Sequence, residues 1–117
     1  MSATDTSGMS SFEYHVLLAL ATGPLHGYAV KDAVATESGG TLNPRAGSMY
    51  RVIARLITAG YVSDARPAAA PAPHPGLARK YYALTSAGRA ALATEAARLK
   101  HAAAMAEKRL GVARSRS

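Results

Sequence analysis

The stretch Gly47 to Val62, GSMYRVIARLITAGYV, decides the fold of this chain. Met49, Val52, Ile53, Leu56 and Ile57 fall at i, i+3, i+4, i+7 and i+8. At about 3.6 residues per turn these positions form one continuous apolar face, which predicts a helix buried along that side. Ser48, Arg51, Ala54, Arg55 and Thr58 take the opposite arc, with two guanidinium groups about one turn apart and a hydroxyl at the helix start. Gly60 is placed to end the helix in left-handed geometry, and Tyr61-Val62-Ser63 opens an alternating, β-prone run. A basic-faced helix running into a strand is the centre of a winged helix-turn-helix. The expected fold class is therefore mainly α with a small β-hairpin, carrying a long C-terminal helix.

Upstream of this helix, Ser10-Ser11-Phe12-Glu13 has the form of a capping box, and the apolar residues Tyr14, Val16, Leu17, Leu18 and Leu20 follow it. Gly23-Pro24 stops that first helix. A second runs from about His26 through Tyr28, Val30, Ala33 and Val34 to the Gly39-Gly40 break, with His26 in the turn that starts it. Leu42 is a candidate for a very short strand before Asn43-Pro44, where Pro44 forces the preceding residue to be extended.

Downstream, the strand at Tyr61 to Asp64 leads into Ala65 to Ala78, which holds four prolines, one glycine and six alanines and cannot build a core. It reads as a wing loop closing a hairpin with Arg79-Lys80-Tyr81-Tyr82-Ala83-Leu84, in which 80, 82 and 84 face one way and 79, 81 and 83 the other. Thr85 or Ser86 then caps a last helix reaching about Leu110. Along it Leu92, Ala96, Leu99, Ala103, Ala106 and Leu110 alternate steps of four and three, a heptad seam too narrow to be buried within one small domain and suited to a twin helix from a second copy. The expected organisation is a disordered lead-in over 1–10, a winged helix over 11–84 with its wing loop at 65–78, a dimerisation helix over 85–110 and a basic tail over 111–117.

Charge follows the same division. Residues 1–44 carry Lys31 against four carboxylates, whereas residues 45–84 carry six basic side chains against Asp64 alone, and the net charge of the chain is +7. The basic surface thus begins at the quoted helix, which points to a polyanionic partner, with an acidic membrane surface or RNA as the alternative. With no cysteine there is neither a disulfide framework nor a thiolate metal site. His15, His26, His74 and His101 show no ligand spacing, so neither a metal nor a cofactor is expected. No nucleophile elbow, phosphate loop or carboxylate pair marks an enzyme. No apolar run approaches the roughly 20 residues of a membrane span, and Met1 to Ser10 lacks the regions of a signal peptide, so a cytoplasmic protein is expected.

Four motifs in order extend the reading: Leu17-Leu18-Ala19-Leu20 with Gly23-Pro24-Leu25-His26-Gly27-Tyr28, then Gly47-Ser48-Met49-Tyr50, then Arg55-Leu56 with Gly60, then Tyr81-Tyr82-Ala83-Leu84-Thr85 with Gly88-Arg89. In these the chain resembles the PadR-like transcriptional regulators, in the short branch with a single C-terminal dimerisation helix, over roughly residues 11 to 110. The resemblance implies a homodimeric repressor that binds a palindromic operator in double-stranded DNA and lets go when a small molecule or other signal binds. It also implies that the Tyr50 hydroxyl contacts the DNA backbone. Two features depart from the family: there is no tryptophan on the last helix to stack on a planar ligand, and an Ala-Pro stretch replaces the usual charged wing.

The candidate DNA-binding residues are Arg45, Ser48, Tyr50, Arg51, Arg55, Arg79 and Lys80. Guanidinium forks match phosphate oxygens and the O6/N7 edge of guanine, and a helix start suits a phosphate. The alternatives are a solvated helix face for Arg51 and Arg55, an N-cap for Ser48, a packing tyrosine for Tyr50, an exposed turn charge for Arg45 and solvated strand ends for Arg79 and Lys80. Phe12, Tyr14 and His15, with the last helix, are candidates to line an inter-subunit pocket for a small aromatic or hydrophobic effector; ordinary core packing is the alternative for each. A protein whose principal activity is holding such a ligand is the competing functional class.

Overall fold

The computed structural model describes residues 9–65 and 80–111. In chain order these form α1 (Ser11–Ala19), β1 (Leu25–His26), α2 (Gly27–Glu37), α3 (Ala46–Thr58), β2 (Val62–Asp64), β3 (Tyr81–Leu84) and α4 (Ser86–Leu110). Most of the expected wing loop, Arg79 with it, most of the expected lead-in and the tail beyond Gly111 lie outside the described residues.

Local chemistry fixes where the helices begin and end. Ser10 Oγ accepts the Glu13 N–H at 3.0 Å while Glu13 Oε1 accepts the Ser10 N–H at 2.8 Å, closing the capping box of α1. His26 Nδ1 accepts the Ala29 N–H at 3.3 Å and caps α2, so the imidazole has the turn role expected of it. α3 stops at Gly60, whose φ of +86° favours glycine, and the Tyr61 N–H returns to the Leu56 carbonyl at 2.9 Å. Thr85 Oγ1 accepts the Gly88 N–H at 2.9 Å to cap α4 and donates to the Gly60 carbonyl at 2.6 Å, which ties α4 to the end of α3.

The helices α1, α2 and α3 enclose one core of Val16, Leu17, Leu20, Val30, Val34, Met49, Val52, Ile53 and Leu56, closed by Val62 and Tyr82 from the sheet. The sheet is antiparallel with order β1-β3-β2, pairing Leu25 with Tyr82 and His26 with Tyr81 on one side, and Val62 with Leu84, Ser63 with Ala83 and Asp64 with Tyr82 on the other. This winged helix therefore has one more strand than the expected hairpin.

Two local expectations are corrected, the place of the short strand and the burial of Ile57. The short strand is Leu25–His26, not Leu42; Leu42 stays irregular, its N–H held by Ser38 Oγ at 3.0 Å and its side chain packed on the core. Tyr81 and Tyr82 lie side by side on β3. Both are buried because β3 is the central strand and its first half is flanked on both edges, with the His26 ring edge-on to Tyr81 at 5.7 Å. Ile57 is 39% exposed, since the buried stripe of α3 is complete with Met49, Val52, Ile53 and Leu56. Tyr28 lies 73% exposed, because Val30 and Val34 are the residues that carry α2 into the core.

Candidate nucleic-acid interface

Burial of one stripe of α3 decides which of its side chains face outward. With Met49, Val52, Ile53 and Leu56 inside, Arg51, Ala54, Arg55 and Thr58 are exposed and Ser48 is half-buried. The N-cap is Arg45, in extended backbone and without a side-chain cap bond, so Ser48 is the third residue of the helix and not its cap. The first-turn N–H groups of α3 thus end beside the exposed Arg45 and close to the Ser48 hydroxyl, an arrangement that suits an oxyanion.

The two arginines of the arc differ in their surroundings. Arg51 is exposed and makes no ion pair among the described residues. Arg55 is bound back to α1: its Nε and Nη2 both donate to Glu13 Oε2 at 3.4 Å. Tyr50 sits at the border of the arc with its hydroxyl lying directly over Gly27, so close that a Cβ on Gly27 would collide with it. Only glycine at the first residue of α2 admits this approach. The same groove between α2 and α3, with a volume of 150 Å3, is lined by Gly27, Tyr28, Lys31, Ala46, Met49 and Tyr50.

Tyr28 and Lys31 are not among the DNA-binding candidates read from the sequence. They lie three apart on one side of α2, off the stripe formed by Gly27, Val30 and Val34, and that offset is the signal by which they could have been found. They extend the exposed face of α3 onto its neighbour with one aromatic ring and one ammonium group.

At the base of the wing, Lys80 Nζ stands 3.5 Å from Asp64 Oδ2, an exposed pair of β2 and the residue before β3. Such a pair contributes about 0–1 kcal/mol and leaves the ammonium accessible. Deeper in the sheet, burial pushes the Tyr82 phenol above its ordinary pKa, with Tyr50 and then Asp64 adding to the effect, so Tyr82 is a neutral packing group at physiological pH.

The residues considered for an effector are not gathered on one side of α1. Phe12 packs on the core and lines an open hollow of 280 Å3 with Leu42, Asn43, Pro44, Arg45 and Ser48, next to the start of α3. Tyr14 meets His15 edge-on at 5.6 Å, and His15 Nδ1 lies 2.8 Å from the Ser11 carbonyl oxygen.

The heptad seam of α4 is also divided. Leu92 packs against the core of its own chain and Ala96 is half-buried, whereas Leu99, Ala103, Ala106 and Leu110 are exposed, Leu110 at 76%. The first half of α4 is docked by Gly88 against the Tyr61 carbonyl and by Arg89 Nη1 donating to the Ala21 carbonyl at 3.4 Å, and it carries the buried Glu95. At about 1.5 Å per residue the helix is roughly 37 Å long, and its second half stands clear of the core.

Comparison with known proteins places this geometry. The model of the transcriptional regulator PadR-like family matches residues 16–94, from α1 into α4. Over 81 residues, 69% of the chain, it is 43% identical to an uncharacterized 37.1 kDa protein in transposon TN4556 of Streptomyces fradiae, and spans only 21% of that relative. Among solved structures it is similar to a transcriptional regulator from Clostridium thermocellum, with TM-score 0.68, 18% identity and coverage of 92% of this chain and 96% of the other. A PadR family transcription regulator from Clostridium difficile gives TM-score 0.69, 18% identity and coverages of 86% and 99%. Bacillus subtilis PadR in complex with operator DNA gives 0.61, 22% identity and coverages of 73% and 47%.

Proposed function

The chain belongs to the PadR-like family of transcriptional regulators, and from that premise we propose that it is a homodimeric repressor of transcription. In this reading α3 enters the major groove of an inverted-repeat operator, the exposed half of α4 joins two copies, and a small aromatic or hydrophobic effector bound between subunits releases the DNA. The family is one of regulators and not of enzymes. That a relative of the same fold is bound to operator DNA supports double-stranded DNA as the partner.

The observation that carries the reading is the division of α3 into a fully buried stripe and an exposed arc bearing Arg51 and Arg55. A helix anchored through four core residues presents its opposite side rigidly, as major-groove readout requires. Arg51 and Arg55 read base edges; Arg45, Ser48 and the start of α3 hold phosphate; Tyr50, Tyr28 and Lys31 flank them on the backbone. Lys80, and Arg79 beyond the described residues, contact the backbone from the base of the wing. Leu99, Ala103, Ala106 and Leu110 form the dimer seam, with Leu92 and Ala96 at its inner end. Tyr14 and His15, which meet edge-on, face the effector together with the partner's helix, while Phe12 packs on the core beside the start of α3. Two recognition helices related by a dyad meet half-sites about one turn, or roughly 34 to 36 Å, apart.

The test begins with a duplex enriched by the protein from a random-sequence library. Affinity for that duplex and for a scrambled one is then measured for the parent, Arg51→Ala and Arg55→Ala at several salt concentrations. A guanine contact predicts a loss of about 1–3 kcal/mol on the enriched duplex, with preference relaxed at one base. A phosphate contact predicts a loss on every sequence and a shallower salt slope. Folded variants that bind both duplexes like the parent would exclude this face as the DNA-binding surface.

A further inference from the structure

Arg55 is held by a carboxylate that is itself fixed. Glu13 Oε1 is engaged by the Ser10 N–H at 2.8 Å, as part of the cap of α1, and Glu13 Oε2 accepts both Nε and Nη2 of Arg55. The Glu13 side chain is mostly covered, whereas the Arg55 side chain remains 59% exposed. A residue 42 positions away in sequence thus anchors the inner edge of the guanidinium. The two Nη1 hydrogens and the second Nη2 hydrogen stay free along the outer edge.

From this geometry we propose that Glu13 is a positioning residue for DNA recognition, which commits Arg55 to a base edge and away from phosphate. The proposal rests on the reading of α3 as the recognition helix. Two physical effects act in the same direction. An arginine side chain ordered before binding loses less conformational freedom when it forms the paired bonds to guanine O6 and N7. A carboxylate beside the guanidinium also repels a phosphate but not the neutral edge of a base, so the site penalises the sequence-independent contact.

Glu13→Gln tests this without removing the cap, because glutamine also serves at that position of a capping box. The probes are the duplex enriched by the parent protein and its scrambled counterpart. The readout is the ratio of the two affinities for the parent, Glu13→Gln, Arg55→Ala and the double variant, with helicity checked by circular dichroism. The expected result is a ratio lowered about 2- to 10-fold per half-site by Glu13→Gln, the range for ordering one rotamer-rich side chain, with affinity for scrambled DNA raised. In the Arg55→Ala background Glu13→Gln should leave the ratio unmoved. Arg55→Lys, which leaves every residue of α1 in place, keeps the charge and loses the fork, and should lower the ratio likewise.

If Glu13→Gln strengthens binding to both duplexes equally, Glu13 is only a compensating charge and the proposal fails while the recognition helix stands. If the ratio rises, the pair restrains Arg55 from the base and the proposal also fails. If Arg55→Ala leaves the ratio of the parent intact, Arg55 is not a reading residue and both this inference and its role in the recognition helix fall together.

Discussion

Gly88→Ala and Gly47→Ala are the same chemical change in two helices, and the structure predicts opposite signs for them. Both glycines sit in helices at ordinary negative φ, where alanine alone would stabilise by up to about 1 kcal/mol. At Gly47 a Cβ meets nothing within 4 Å, so some of that gain is expected, reduced because the residue lies in the first turn. At Gly88 the Cβ would collide with the backbone carbonyl of Tyr61 and come within 3.0 Å of Leu84 Cδ1. Backbone cannot step aside as a side-chain tip can, so α4 must back away from the turn after α3. Overpacking of this kind costs about 1–3 kcal/mol. The shift also strains two bonds, Thr85 Oγ1 to the Gly60 carbonyl at 2.6 Å and Thr85 N–H to the Tyr61 carbonyl at 3.0 Å, each worth about 1 kcal/mol. Allowing for the gain in helix propensity, the net loss is about 1–4 kcal/mol, or a fall in Tm of about 5 °C or more for a domain of this size. Urea and thermal unfolding at one fixed protein concentration measure it, since association would otherwise shift both midpoints. Equal stabilisation of both variants would refute the reasoning, for it would mean that α4 is not held against the Tyr61 carbonyl.

Other consequences are as direct. His26→Ala removes the acceptor for the Ala29 N–H and the edge contact with Tyr81, and should cost about 1–3 kcal/mol in urea unfolding; His26→Asn should recover the capping share, and a fully stable His26→Ala would deny the cap any weight. Leu99→Asp places a charge in the exposed seam of α4 and should yield folded monomers in sedimentation velocity, whereas a dimer of parental stability would rule that seam out. The hydrogen bond from Arg98 holds the Glu95 carboxyl below its ordinary pKa, burial opposes this, and the Arg98 charge adds to it. A carboxyl with a depressed folded pKa stabilises above the unfolded carboxylate range and loses that contribution as pH falls through the folded pKa. The stability difference between the parent and Glu95→Gln should therefore be constant near neutrality and shrink in acid; a gap independent of pH would deny the linkage. Gly27→Ala displaces only the far end of the Tyr50 side chain, so it should lower Tm less than Gly88→Ala while weakening duplex affinity.

What the sequence discloses and what it hides divide along the range of the interactions involved. The cap of α1, the turn at His26, the stop at Gly60 and the buried stripe of α3 all arise within one or two helical turns, and periodicity and residue type contain them. β1 does not. Leu25 and His26 have no strand signal of their own, and they are extended because the central strand offers Tyr81 and Tyr82 as partners from more than fifty positions away. That same pairing buries both tyrosines. Ile57 falls outside the buried stripe for a related reason: periodicity gives the direction of an apolar stripe, but only the neighbouring elements decide how wide an arc they cover.

The interface follows the same rule with a functional consequence. Composition and spacing locate Arg51 and Arg55 on one exposed arc and make them look equivalent, separated by about one turn of a helix. The fold makes them different. α1 crosses α3 so that the carboxylate that completes its own cap also receives Arg55, while Arg51 has no such partner among the described residues. A cap that sequence identifies as structural is thus, in three dimensions, part of the surface that meets DNA in the proposed reading. Glu13 could not be assigned to that surface from its neighbours in the chain, because what recruits it is the angle at which two helices pack. In the proposed reading, the core that α1 and α3 share therefore bears on specificity without approaching a base.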